Sequence, residues 1–297
     1  MNDFQPDSLS LAITTPFKDN GEIDYARFQV LLEQYLEAGI ESMVVSSGTG
    51  MHLYLHPDES KKLLEIAAKT VDGRAQLIAQ TSALLTDDVV ERTRRAADLG
   101  IAAVMVLPPF FEGPTDDQGL YDFYADVSAA GLPVIGYNVP QAVGVGISPA
   151  LLERLAEISN FATVKDSSGD LAAQASLIRT GIPTLNGADP LVPYALFAGA
   201  KGLIWGGANI APRTCMSLFK AARLEQWDQV REIWQHLEPI MSLLWQGDYV
   251  QSVYTAARLT GYDAGQPRRP LRPLEAQRVE GVRTALGELA QVERDGR

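Results

Sequence analysis

The sequence predicts an α/β chain folded as a (β/α)8 TIM barrel with a C-terminal three-helix appendage, and three observations predict it. Eight short apolar runs alternate with eight longer amphipathic stretches, at a repeat of roughly 20 to 30 residues that suits such a barrel. No Gly-x-Gly-x-x-Gly follows the first run, where Thr14-Thr15-Pro16-Phe17 stands instead, which speaks against a doubly wound nucleotide-binding sheet. From Leu224 onward no strand-like run remains. The expected organisation is therefore a catalytic barrel over residues 1–223 and a helical region over 224–297.

The runs are Leu9–Thr14, Met43–Ser46, Gln76–Ala79, Ala103–Leu107, Pro133–Tyr137, Ala162–Lys165, Pro183–Asn186 and Gly202–Trp205. Each is too short for a helix, and most read as strands buried on both faces, as in a parallel sheet. The stretches between them, Tyr25–Ala38, Asp58–Thr70, Asp87–Leu99, Leu120–Ala129, Ala150–Ile158, Leu171–Arg179, Val192–Ala198 and Arg213–Ala222, carry helical periodicity. Thr86 and Ser148, the latter followed by Pro149, are candidate N-caps. Gly39, Gly100, Gly131, Gly181 and Gly199 fall just past helix ends. The acidic pairs Asp87-Asp88 and Asp116-Asp117 suit helix N-termini. Trp227–Trp245, Tyr249–Leu259 and Glu275–Leu289 read as three further helices around the Pro/Arg-rich Gly265–Pro273.

Composition narrows the function classes. The 297 residues carry a formal charge of −12, with 46 % hydrophobic and 21 % charged residues, ordinary for a chain with a packed core. Acidity at this level argues against a nucleic-acid or anionic-membrane partner. A single cysteine, Cys215, rules out an internal disulfide framework and fits a reducing cytoplasm; a packed thiol is its expected role. No apolar run approaches the roughly 20 residues that span a bilayer. Met1 to Ser10 lacks a basic region and is not expected to be a signal peptide.

In a barrel, chemistry sits where strands end and the following loops begin. Lys165 is unusual there: the other six lysines fall on loops or polar helix faces, whereas Lys165 closes the run Phe161-Ala162-Thr163-Val164. Burial at such a place disfavours an ammonium and makes the amine a usable nucleophile for Schiff-base formation. The alternative is a lysine paired with Asp166 at the barrel rim. Tyr137 closes the preceding strand and would project into the same mouth, where a phenol can relay protons; the alternative is a ring packed under a loop. Ser46-Ser47-Gly48-Thr49-Gly50 follows the second strand, where glycines let N–H groups converge on a small anion such as a carboxylate; an ordinary turn is the competing reading. His52 and His56 are four apart but read as a loop entering a helix, with no glutamate between them, so no metal site is expected.

With these residues placed, the chain resembles the class I pyruvate-dependent aldolase family, which includes dihydrodipicolinate synthase, N-acetylneuraminate lyase and the 2-keto-3-deoxy sugar acid aldolases and dehydratases. The matching segments are Thr14-Thr15-Pro16-Phe17, Ser47-Gly48-Thr49-Gly50, Tyr137-Asn138-Val139-Pro140, Val164-Lys165-Asp166-Ser167-Ser168-Gly169 and Gly206-Gly207-Ala208-Asn209. The resemblance runs from about Leu9 through the C-terminal helices. It implies catalytic roles for Lys165, as the imine-forming amine, and Tyr137, as the proton relay. It implies substrate-binding roles for Gly48, Thr49, Ser167, Gly187, Asp189, Ile204 and Phe111, a 2-oxo acid (pyruvate) and an aldehyde as small-molecule partners, and no metal or organic cofactor. A homotetramer built from two tight dimers is also implied.

Departures from the synthase branch bear on substrate. Gly48 stands where a second threonine is usual, Phe111 where a neighbouring subunit contributes a tyrosine, and Met51 where a glutamate often ends the turn. Gln141-Ala142-Val143 carries no arginine for a second carboxylate. The activity expected from the resemblance is thus that of a Schiff-base-forming carbon–carbon (or carbon–oxygen) lyase acting on a 4-hydroxy-2-oxo acid or 2-keto-3-deoxy sugar acid, with a pyruvate-dependent aldolase as the main reading. Alternatives are a keto-deoxy sugar acid dehydratase, the synthase itself, or a non-catalytic 2-oxo acid binding protein. Phe110, Phe111, Met51 and Trp205 suggest an apolar mouth.

Overall fold

A computed structural model describes residues 4–114 and 116–295; Met1–Asp3, part of the N-terminal segment considered for a signal peptide, lie outside the described residues. The elements run β1 Leu9–Ala12, α1 Tyr25–Glu37, β2 Ser42–Val45, α2 Pro57–Val71, β3 Gln76–Gln80, α3 Thr86–Asp98, β4 Ala103–Val106, α4 Asp117–Ser128 and β5 Val134–Asn138. They continue with α5 Pro140–Val143, α6 Pro149–Leu155, β6 Phe161–Asp166, α7 Leu171–Ile178, β7 Thr184–Asn186, α8 Val192–Phe197 and β8 Gly202–Trp205. The chain ends in α9 Pro212–Arg223, α10 Trp227–Leu244, α11 Tyr249–Thr260, α12 Ala276–Leu286 and α13 Leu289–Asp295. All eight expected strands are present, hydrogen-bonded in chain order and closed into a parallel barrel.

Every residue of β1, β2, β4, β7 and β8 is buried, as a parallel sheet covered on both faces requires. Gly39, Gly100, Gly131, Gly181 and Gly199 all take positive φ just after a helix, a backbone state that costs a residue with a Cβ. Ser148 caps α6 by accepting from Leu151 N–H, with Pro149 at the first helical position. Asp116 caps α4 in the same way, accepting from Gly119 N–H.

Two expectations are corrected. Thr86 does not cap α3: it is already helical after Leu85, and the first-turn carboxylates Asp87 and Asp88 supply the favourable charge there. The stretch Glu275–Leu289 is not one helix, because Gly287 leaves helical geometry (φ 49°, ψ −129°) and divides it into α12 and α13.

The chain divides into two compact units. One comprises the residues up to Ser8 together with Gln76–Ile204. Its outer layer packs aromatic rings on the sheet: Tyr124 of α4 stands edge-on to Phe161 of β6 and donates to Val106 O. Gly136 leaves room for that phenyl ring, since a Cβ would come within 2.9 Å of Phe161 Cζ.

The other unit comprises Leu9–Ala75 and the residues from Trp205 onward. Asn209 ties its parts together: its amide donates to Ala12 O and Gly206 O, and its oxygen accepts from Thr14 N–H and Tyr35 Oη–H. Tyr254 of α11 both donates to Thr15 O and accepts from Thr15 N–H; burial pushes its phenol well up, so it keeps its proton. Glu293 of α13, fully buried, accepts from Arg213 N–H and the Thr214 hydroxyl and so caps α9.

In the same unit Arg268 makes a bidentate pair with Glu59 at 2.7 Å to each oxygen, and also donates to Gly21 O and Tyr54 O. Glu59 accepts in addition from His56 N–H at the start of α2. The Arg268 guanidinium therefore holds the Glu59 carboxyl below its ordinary value of 4.5. A carboxyl lowered on folding stabilises the fold above its unfolded pKa and loses that contribution as pH falls through the folded value. A Glu59→Gln variant is expected to be about 1–2 kcal/mol less stable at neutral pH in urea unfolding, with the gap to the parent protein closing below about pH 4.

Candidate active site

The site's first unit is built on a one-residue irregularity. Along β5 and β6, Val134 pairs with Phe161 but Ile135 with Thr163, so Ala162 is an extra residue on β6. Phe161 faces outward, against Tyr124 of α4, and Asp166 faces outward too, hydrogen-bonded to Gln174 of α7. These residues are five apart, and strict alternation would put them on opposite faces. The bulge at Ala162 absorbs the difference and turns Lys165 inward. It also aligns Tyr137 with Lys165, which without the bulge would stand beside Asn138.

Lys165 is 5 % exposed, and its Nζ lies 4.1 Å from the centroid of the Tyr137 ring, over its face. The reading of Lys165 as the partner of Asp166 is overturned. Asp166 points to the other side of the strand, where it accepts from Asn138 Nδ2 (2.7 Å), the Ser168 hydroxyl (2.9 Å) and Gln174 Nε2 (3.3 Å). Burial raises the Asp166 carboxyl above its ordinary value, and these donors offset part of that rise. Gly187, just past β7, is packed directly on the lysine: a Cβ there would come within 2.3 Å of Lys165 Cε and 2.2 Å of Ser167 Oγ. Ser167 is buried and its hydroxyl has no hydrogen-bond partner in the structure. A buried primary amine stacked on a phenol, with a free hydroxyl beside it, is a set of groups able to add to a carbonyl carbon and exchange protons there.

Of the other residues expected in this unit, Asp189 is buried and opens a short 3-10 turn, and Ile204 is buried in β8. Phe111 is 81 % exposed with φ 57°, so its ring stands off the unit into solvent. A short helix not expected from the sequence, α5, follows Tyr137-Asn138-Val139, and Gln141 on it donates to Ser167 O at 2.7 Å. Pro140 at its first position was the available signal.

In the second unit the turn after β2 is closed by its own backbone. Met51 N–H donates to Gly48 O, His52 N–H to Ser47 O and Gly50 N–H to Ser47 Oγ, while Thr15 Oγ1 donates to Gly50 O. Gly48 is exposed and Thr49 buried. A Cβ on Gly50 would meet Ile13 O at 2.8 Å, and one on Gly206 would meet Thr49 Oγ1 at 2.5 Å, so the turn is crowded at Gly50 and the Thr49 hydroxyl lies close against the Gly206 backbone. Met51 and Trp205, expected at an apolar mouth, are instead buried. His52 begins a 3-10 turn and His56 precedes α2; among the described residues no three His, Cys, Asp or Glu side chains converge as metal ligands do.

Comparison with known proteins adds a family. Residues 5–289 match the model of the dihydrodipicolinate synthetase family. The 4-hydroxy-tetrahydrodipicolinate synthase of Bacillus subtilis strain 168 is 31 % identical over 287 residues, 95 % of this chain and 99 % of its own. That of Methanothrix thermoacetophila is also 31 % identical, over 96 % of this chain and 98 % of its own. Among solved structures, the chloride-inhibited dihydrodipicolinate synthase of Acinetobacter baumannii complexed with pyruvate superposes with a TM-score of 0.91 at 30 % identity, covering 97 % of this chain and all of that one (100 %). A monomeric dihydrodipicolinate synthase variant aligns with a TM-score of 0.89 at 28 % identity, covering 96 % of this chain and 97 % of its own.

The packing at Gly187 makes a prediction. A Gly187→Ala variant is expected to be destabilised by about 1–3 kcal/mol in chemical unfolding, because backbone and Lys165 must both shift. A crystal structure of the variant is expected to show Lys165 Nζ displaced from the Tyr137 ring; an undisturbed stack would contradict the expectation.

Proposed function

From the premise that the chain belongs to the dihydrodipicolinate synthetase family, we propose that it is a Schiff-base-forming lyase, most simply a pyruvate-dependent aldolase acting on a 4-hydroxy-2-oxo acid or 2-keto-3-deoxy sugar acid. The observation that carries this reading is the inward-facing, buried amine of Lys165 lying over the Tyr137 ring.

In this reading the Lys165 amine adds to C2 of the 2-oxo acid and water leaves, giving a protonated imine. When the C3–C4 bond breaks, its electron pair passes into the imine, leaving an enamine and an aldehyde; protonation at C3 and hydrolysis then release pyruvate. Tyr137 carries protons to and from the imine and the 4-hydroxyl. The Gly48-Thr49 turn holds the carboxylate of the 2-oxo acid, and Ser167, Gly187, Asp189 and Ile204 shape the space for the rest of the substrate. Ser167 supports the part given to it, because its buried hydroxyl is without a partner in the structure. The barrel of residues 1–223 is the catalytic portion and residues 224–297 its appendage. We place the enzyme in the cytoplasm, in keeping with its lone, buried cysteine.

Synthase activity is the second reading, favoured by the activity named for the relatives above. Against it stand Gly48, Phe111 and Gln141-Ala142-Val143, which lack the hydroxyls and guanidinium that the synthase branch uses. Association into a homotetramer completes the proposal: Phe111, Phe197 and Tyr194 are large apolar or aromatic side chains left exposed on the single chain.

Incubation with pyruvate and borohydride is expected to add one reduced adduct, mapped by peptide mass spectrometry to Lys165. A Lys165→Ala variant should keep its fold and lose both adduct and turnover; turnover in that variant would exclude Lys165 as the nucleophile. In Tyr137→Phe, turnover is expected to fall by about 10²–10⁴-fold, whereas a binding protein without proton transfer would show no such loss. Light scattering at micromolar concentration is expected to give four times the mass of the chain, and a monomeric mass would refute the association.

A further inference from the structure

The inner row of the site has a polar row behind it. Asn138, Asp166 and Asn186 are register partners across β5, β6 and β7, and all three are buried. Each is the chain neighbour of an inward residue already described: Tyr137, Lys165 and Gly187. Polar side chains on the covered face of a parallel sheet are costly unless each finds a partner. Here they find one another, with Gln174 of α7, itself fully buried, as the fourth member.

The backbone dictates which way each amide faces. Asn138 Oδ1 accepts from Ile147 N–H at 2.8 Å, so its Nδ2 must face Asp166. Asn186 Nδ2 donates to Ala188 O and its Oδ1 accepts from Ala188 N–H, so that oxygen also takes Gln174 Nε2 at 2.9 Å. Gln174 Nε2 is thereby turned toward Asp166 as well. Both amides therefore present N–H groups to the Asp166 carboxyl, which suits an acceptor with no proton of its own. Backbone bonds run parallel to these, from Ser167 N–H to Asn138 O and from Gly187 N–H to Asp166 O, both 2.8 Å.

We propose that Asp166 is a positioning residue for the reaction at Lys165: from the outer face of β6 its carboxylate gathers Asn138 directly and Asn186 through Gln174, and so holds the strand ends that carry Tyr137, Lys165 and Gly187. This rests on Lys165 being the imine-forming amine. Loosening the row lets the three inward groups shift by fractions of an ångström, enough to slow a step that depends on alignment.

A double-substitution cycle tests it, read as the rate at which pyruvate and borohydride trap the adduct on Lys165 per folded molecule, with thermal unfolding measured alongside. In Asp166→Asn an amide nitrogen meets Asn138 Nδ2 or Gln174 Nε2, and trapping is expected to slow by about tenfold or more. In Asn138→Asp two carboxylates face each other, with a loss of similar size. The combined N138D/D166N exchange restores every bond: Asn at 166 donates to Asp at 138 and still accepts from Ser168 and Gln174, while Asp at 138 accepts from Ile147 N–H. It is expected to trap within about threefold of the parent protein.

A merely structural role would lower the unfolding temperature of the single variants and leave trapping per folded molecule unchanged, and that result overturns the proposal. So does an exchange variant that folds but stays slow, or one that does not fold, since it keeps each hydrogen bond. Absence of any adduct in the parent protein would instead remove the Schiff-base reading, and the proposal with it.

Discussion

The arrangement around Lys165 depends on the register between β5 and β6. Alternation along a strand is strict, so one added residue exchanges the two faces for everything beyond it. Ala162 is that residue. On one side of it Phe161 packs outward under α4, and on the other Lys165 faces inward with Asp166 behind it. A strand without the bulge would put the amine among the helices and the carboxylate in the barrel. Two demands that conflict under perfect alternation, an aromatic anchor for α4 and an outward carboxylate five residues further on with the lysine turned inward before it, are met by one irregularity.

Glycine does a related job at closer range. Gly187 lets backbone touch the lysine side chain, and Gly206 and Gly50 let backbone crowd the turn that bears Thr49. The space a Cβ would need is taken by Lys165 and Ser167 at Gly187, by Tyr249 and Thr49 at Gly206, and by Ile13 O at Gly50. Each of these places is thereby stiff in a way that side-chain packing alone does not achieve, because a main-chain wall has no rotamers to offer. On the proposed reading, substrate choice falls to the groups that are not walls. The uncharged Gln141-Ala142-Val143, the exposed Phe111 and the buried, unpartnered Ser167 hydroxyl are among the places where this chain departs from the synthase pattern or leaves a polar group open.

The legible parts of the fold are those with local causes. Strand cores were readable as apolar runs bounded by breakers, helix ends as glycines at positive φ, and the α6 start as Ser148-Pro149. Tyr137 and Lys165 were readable because a phenol and an amine closing apolar strands violate the pattern around them. Parts decided at a distance were not. Pairing of Lys165 with Asp166 looked plausible because the two are adjacent, yet adjacency in a strand means opposite faces. Thr86 looked like a cap until Leu85 took that position, and Gly287 looked tolerable inside a helix until it left helical geometry between α12 and α13. The row of Asn138, Asp166, Gln174 and Asn186 left a trace, polar residues at strand ends, but nothing local distinguishes such a row from three solvated loop starts.

By itself, then, the sequence determined the barrel, its element order and the two groups on which the proposed chemistry turns, since periodicity and the types of residue that close strands are properties of the chain alone. Only the tertiary structure decided which face each of those groups occupies and what stands behind it. A bulge is invisible until two strands are paired, because it is a mismatch between partners. The same holds for a buried carboxylate: whether it costs stability or organises its surroundings depends on which donors the neighbouring strands and helix bring to it.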